Sequence, residues 1–145
     1  MEIERKFTVK AMPDLSSYKF LSLEQGYLST NPVVRVRKED DNYYLTYKGS
    51  GFIEREEYNL PLNEESYYHL IQKADGTVIT KKRYRIPYDK YTIELDVFEG
   101  KLAPLVIAEV EFDSLSAADS FRPPSWFGED VTFNPEYSNS NLSKK

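Results

Sequence analysis

The sequence predicts an α+β domain that is mainly β, an antiparallel set of eight strands able to close into a barrel with a few helices packed outside it. Three observations carry this. Charged and apolar residues alternate with the period of two that a strand imposes, as in Glu2-Ile3-Glu4-Arg5-Lys6-Phe7. Turn-forming runs such as Asn31-Pro32, Asp40-Asp41-Asn42, Gly49-Ser50-Gly51, Pro87-Tyr88-Asp89-Lys90 and Glu99-Gly100 separate the alternating segments by short connections, which suit antiparallel neighbours. The length of 145 residues fits one domain, 1–145, with a core of its own.

In chain order, strands are expected over residues 2–9, 23–29, 33–39, 42–48, 52–60, 78–86, 90–98 and 105–112. Residues 63–74 read as a helix. Asn63 can cap it, Glu64 and Glu65 suit the first turn, Tyr67, Leu70, Ile71 and Ala74 form an apolar stripe, and Asp75-Gly76 ends it. A second short helix starts near Ser114 or Ser116 and is stopped by Pro123-Pro124. Trp126 and Phe127 are expected to anchor the tail on the outer apolar face, and the polar stretch after Tyr137 to fray.

Composition excludes several chemistries. There is no cysteine, which removes disulfides, thiolate metal sites and cysteine nucleophiles, and fits a reducing cytoplasm. The single histidine, His69, leaves little room for an imidazole metal site. The charged N-terminus is unlike a signal peptide, and no apolar run approaches the length of a membrane span, so a cytoplasmic protein is expected. With a net charge of −5, neither nucleic acid nor an anionic membrane is an expected partner.

One strand with alternating charge is usually a half-buried strand with its charges in water. Here the pattern recurs in both signs: Arg35, Arg37, Lys48, Arg55, Lys81, Arg83 and Arg85 against Glu2, Glu4, Glu57, Glu94, Asp96, Glu109 and Glu111. If helices and tail cover the apolar face instead, these charges converge on a central channel. Burying so many ions demands a ligand. A polyanion held through divalent cations satisfies both signs, because carboxylates bind hard cations such as Mg²⁺ or Mn²⁺ while Arg and Lys take phosphate oxygens.

Glu2-x-Glu4-x-Lys6 resembles the signature of the CYTH superfamily, the triphosphate tunnel metalloenzymes. Arg35-Val36-Arg37, Tyr47-Lys48-Gly49, Arg55-x-Glu57-Tyr58, Lys81-x-Arg83-Tyr84, Glu94-x-Asp96 and Glu109-x-Glu111 follow in the family's order. The resemblance implies an eight-stranded antiparallel tunnel and a metal-dependent hydrolase of a small-molecule triphosphate, with inorganic tripolyphosphate as the first choice. Thiamine triphosphate hydrolysis, adenylate cyclisation and a non-catalytic polyphosphate- or nucleotide-binding module stand as alternatives. It further implies that Glu2, Glu4, Glu109 and Glu111 hold two divalent ions and, with Lys6, carry catalysis. Lys6, Arg35, Arg37, Lys48, Arg55, Lys81, Arg83 and Arg85 would bind the phosphates. Glu57, Glu94 and Asp96 would support the metal shell, a water or the arginines; Tyr27 could hydrogen-bond Lys6. No terminal lysine can be placed as a tunnel-closing group, and Tyr137 and Asn139 are expected in that role.

Overall fold

A computed structural model describes all residues, 1–145. Ten strands run in the order β1 (Glu2–Val9), β2 (Phe20–Thr30), β3 (Val33–Glu39), β4 (Asn42–Lys48), β5 (Glu54–Arg55), β6 (Glu57–Leu62), β7 (Asp75–Tyr88), β8 (Tyr91–Phe98), β9 (Val106–Glu111) and β10 (Phe127–Asp130). Three helices accompany them: α1 (Glu64–Ile71), α2 (Leu115–Ser120) and α3 (Asn139–Leu142). All strand pairs are antiparallel, in the order β10-β1-β9-β8-β7-β2-β3-β4-β6.

The expected strand at 52–60 is the seam of the barrel. Its first part, β5, pairs with β1 through Glu2↔Arg55 and Ile3↔Glu54, and its second part, β6, pairs with β4. No continuous ladder closes the ring; closure passes through one chain segment that changes partner at Glu56. A tenth short strand, β10, was not expected from the sequence and pairs with the C-terminal half of β1.

Outside, Phe7, Ile93, Leu95, Val110 and Phe112 pack against Ala118 and Phe121 of the α2 region and Phe127 of β10. Phe7 and Phe127 lie with ring centroids 4.7 Å apart, so Phe127 is an anchor as expected. Helix α1 has Asn63 as its cap, accepting from the Ser66 amide, but ends earlier than expected, because Asp75 and Gly76 already belong to β7. Its C-terminal end presses on β2 at Gly26, where a Cβ would collide with Ile71 and Ala74.

The barrel interior is not uniformly charged. At one end Tyr27, Val33, Ile79, Phe98 and Ile107 form a second apolar cluster, closed by Leu142 of α3. Four of these stand two residues from an interior charge on the same strand: Val33 before Arg35, Ile79 before Lys81, Phe98 after Asp96 and Ile107 before Glu109. The tail is therefore docked rather than frayed. Leu142 and Ser143 are buried, and the Thr77 amide donates to the Ser143 carbonyl at 2.6 Å. Burying one leucine contributes about 1.5–3 kcal/mol, enough to order so short a helix. Gly76, at φ +69°, lets this contact form, since a Cβ there would strike Ser143 O.

Candidate active site

Alternation along the strands delivers charges from nearly every stave into a cavity of about 270 Å³. Its cations are Lys6, Arg35, Arg37, Lys48, Arg55, Arg83 and Arg85; its carboxylates are Glu2, Glu4, Glu39, Glu57, Glu94, Glu109 and Glu111. Only Tyr27, Val33 and Tyr44 are apolar or aromatic. Arg5, on the opposite face of β1, points outward, donating to Asp130 at 2.9 Å and to the Ala118 carbonyl at 2.8 Å. The reading that puts the charged face inside is the one the fold adopts.

The carboxylates fall into two groups. Glu2 is ion-paired with Lys48 at 3.1 Å and with Arg55 at 3.6 Å, and Glu109 has Arg83 at 3.9 Å. Although burial disfavours its charge, Lys6, Arg83, Lys81 and Lys48 hold the Glu109 carboxyl far below the usual carboxylate range. Glu4 and Glu111, directly opposite across β1 and β9, have no such partner. Burial, followed by the charges of Glu109 and Glu2, pushes Glu4 up to about 8; burial and then Glu2, Glu57 and Glu94 raise Glu111. Two all-oxygen groups that repel their neighbours and lack a protein cation fit a hard divalent ion. No three carboxylates stand close enough to enclose a cation by themselves, so further oxygens would come from substrate or water.

On the basic side, Gln25 Oε1 accepts from Arg37 Nε at 2.9 Å and Nη2 at 2.7 Å. Thr46 Oγ1 accepts from Arg35 Nη2 at 3.2 Å and itself donates to Asn59 at 2.6 Å. Arg35 lines the cavity, and its Nε is buried without a partner. Burial, then Arg35 and Arg83, lowers the pKa of Arg37 to about 9, so a negative ligand would relieve the arginine cluster. Glu57 ion-pairs with Lys48 at 3.3 Å, and Glu94 lies 3.4 Å from Arg83 and 3.5 Å from Arg85.

Two expected site residues lie elsewhere. Lys81 and Asp96 do not line the cavity; both are fully buried where its charged part meets the apolar end. Lys81 Nζ is 2.7 Å from Asp96, without the alignment of a hydrogen bond, and 5.1 Å from the Phe98 ring. Asp96 also accepts from Arg83 Nε at 2.7 Å and Nη2 at 2.9 Å. Lys81, expected to contact phosphate, thus sits outside the cavity lining between Asp96 and Phe98, and Asp96 braces Arg83, one of the supporting roles expected of it.

Lys6 does not meet Tyr27 either. It donates to the Tyr137 carbonyl at 3.1 Å, so Tyr137 acts through its backbone, while Ser138, Asn139 and Ser140 line the cavity wall. Glu39, Tyr44, Thr46, Asn59, Ser138 and Ser140 were missed as lining residues. Four of them were in phase with recognised ones: Glu39 with Arg37, Tyr44 and Thr46 with Lys48, and Asn59 with Glu57. The serines had no such signal. His69 is exposed on α1, far from this chemistry.

A two-signed, polar channel inside an antiparallel barrel defines a polyanion-handling tunnel protein. The CYTH domain model matches residues 1–144, and the chain belongs to the CYTH family. It is 40% identical over 147 residues to an inorganic triphosphatase of Nitrosomonas europaea, covering 98% of this chain and 96% of that protein. It is also 40% identical over 150 residues to an inorganic triphosphatase of Acetivibrio thermocellus, covering 99% and 93%. A crystal structure of an inorganic triphosphatase, 37% identical, superposes with a TM-score of 0.74 over 100% of this chain and 95% of that one. Metal dependence is a general property of CYTH triphosphatases. No helix of the chain is long and apolar enough to cross a membrane.

Proposed function

We propose that the chain is a divalent-metal-dependent triphosphatase that hydrolyses inorganic tripolyphosphate to pyrophosphate and phosphate. The observation that carries this reading is the cavity lining, with cations from β3, β4 and β7 facing the carboxylates of β1 and β9 and almost no apolar surface for a base or a thiazolium. Full-length likeness to two inorganic triphosphatases supports the same substrate. Arg35, Arg37, Arg83 and Arg85 bind and align the phosphate chain, with Arg83 held rigid by Asp96. Lys48 is occupied by Glu2 and Glu57 and steadies the seam beside the site. Lys6, opposite Glu109 on the β1 side of the cavity, is positioned to meet a terminal phosphate once it leaves the Tyr137 carbonyl. Glu4 and Glu111, together with Glu2 and Glu109 on the same strands, would hold two Mg²⁺ or Mn²⁺ ions. Bound there, the ions supply charge neutralisation and an activated water. The channel's charges are in place before substrate arrives, so little reorganisation is needed during reaction. The lack of cysteine suits a cytoplasmic setting.

Phosphate release from tripolyphosphate and from ATP, at matched metal and pH, tests the reading. With no base pocket to reward the nucleoside, kcat/KM for tripolyphosphate is expected to exceed that for ATP at least about tenfold, or about 1.4 kcal/mol. Equal or reversed values point to a nucleotide enzyme, cyclic AMP to a cyclase, and tight binding without turnover to a capture module.

A further inference from the structure

A second cavity, also about 270 Å³, lies beside the first. The two share a partition made of Glu4, Lys6, Val33, Arg55, Ser138 and Ser140. Beyond it the side chamber runs out between the β2–β3 turn, the loop after β4 and the C-terminal segment, and opens to solvent past the exposed residues Asn31, Ser50 and Lys144. Its chemistry differs from that of the main cavity. Past the partition it has no carboxylate: Lys144 and the polar side chains of Thr30, Asn31, Ser50 and Asn134 face it. Glu4 is its single acidic group, set against Lys6, Arg55 and Lys144. A space in which three cations and several neutral donors outnumber one carboxylate suits a small anion. It offers too few carboxylates for a metal-loaded triphosphate.

The axis of the barrel gives no alternative rear exit, because Tyr27, Ile79, Phe98, Ile107 and Leu142 fill that end. Hydrolysis forms a bond from a water oxygen to the terminal phosphorus and breaks that atom's bond to the bridging oxygen, which departs on pyrophosphate with the electron pair. The water's protons pass to the product oxygens and solvent. The longer product keeps most of the contacts with the arginine wall, so the shorter one needs a way past it. On the proposed triphosphatase reading, we infer that the side chamber is a separate site for inorganic phosphate, which receives the cleaved terminal phosphate across Lys6 and leads it out beside Lys144.

Inorganic phosphate binding to the full-length chain is measured by calorimetry with Mg²⁺, first alone and then with the main cavity filled by the non-hydrolysed analogue imidotriphosphate. Phosphate affinity should stay within about twofold when the analogue is present, and phosphate should inhibit turnover noncompetitively against tripolyphosphate. Lys144→Gln should weaken phosphate at least about fivefold while leaving analogue affinity unchanged, as loss of one charge-assisted contact requires. Ser50→Trp, which fills the chamber from its rim, should do the same by volume. The inference is overturned if the analogue abolishes phosphate binding, if inhibition is competitive, if no phosphate binds, or if Lys144→Gln changes nothing. The binding arm needs no turnover, so failure of the triphosphatase reading would show separately, as absent phosphate release from tripolyphosphate.

Discussion

Asp96→Asn removes the one carboxylate that neutralises two buried cations. Asp96 sits 2.7 Å from Lys81 Nζ and accepts two bonds from Arg83, and none of the three residues is appreciably exposed. Arg83 keeps Glu94 at 3.4 Å and Glu109 at 3.9 Å, so the uncompensated charge falls mainly on Lys81. Breaking a buried pair in this way costs up to about 3–5 kcal/mol, less to the extent that Lys81 escapes by releasing its proton, against the roughly 5–15 kcal/mol that holds a domain together. For a chain of this size the full cost is a fall in Tm of roughly 6–20 °C. Urea unfolding is best followed near pH 6. Burial, with Arg83 and Arg37 nearby and Asp96 opposing them, holds the Lys81 pKa down to about 7, so only below that does Lys81 carry a full charge. The double variant Lys81→Met with Asp96→Asn should recover more than half of the loss, because an apolar side chain of similar length replaces the stranded ammonium. A loss under about 1 kcal/mol for Asp96→Asn, or no recovery in the double variant, would refute the idea that Asp96 neutralises this pair.

Glu4→Gln and Glu111→Gln should each lower kcat with tripolyphosphate at least about 100-fold yet raise the Tm of the metal-free protein, since each removes a carboxylate crowded by others; full activity in either would remove it from the metal-holding set. Imidotriphosphate with Mg²⁺ at about 100 times its Kd should add roughly 2.7 kcal/mol of stability to the parent chain. Arg83→Ala should cut that gain far more than Arg5→Ala, whose side chain bonds Asp130 on the outside, and equal effects would mean the faces of β1 and β7 are misassigned. Lys81 also predicts a pH slope. The unfolded chain keeps this proton to about 10.5 while the folded one releases it near 7, so its contribution to stability rises with pH across that window, and a Lys81→Met variant that keeps the same slope would exclude Lys81 as the source.

The site was legible to the extent that it obeys a period of two. Glu2, Glu4 and Lys6, or Arg83 and Arg85, announce their shared face without any knowledge of what lies opposite. Alternation says nothing about depth along the barrel axis: Lys81, expected among the phosphate contacts, shares the face of Arg83 but pairs with Phe98, and Asp96, expected in a supporting role, pairs with Arg83 on one side and Ile107 on the other. The seam was illegible for a similar reason. Residues 52–60 read as one strand, and only three-dimensional closure shows that Arg55 answers to Glu2 on β1 while Glu57 answers to Lys48 on β4. The tail was misread because its anchoring signal is a single leucine, Leu142, in a stretch of serines and asparagines.

The deep Lys81–Asp96 pair, the split strand and the docked tail lie at different levels of the barrel, and together they explain how a barrel lined with charge can be stable when empty. An even distribution of ions along the whole interior would leave many of them without partners. Here the charge is confined to one end, and within it each cation on the β4–β5 side meets a carboxylate of β1 or β6 across the seam, as Lys48 and Arg55 do with Glu2. The other end is given to a dry apolar layer that Leu142 completes, so α3 serves as the last piece of the core and not as an appendage. Removing it by truncation after Ser138 should therefore uncover Ile79, Phe98 and Ile107 to water and destabilise the fold, with loss of ligand binding following from instability as well as from the missing Ser140 wall. A truncated chain with unchanged urea midpoint would show that the apolar layer is closed without Leu142.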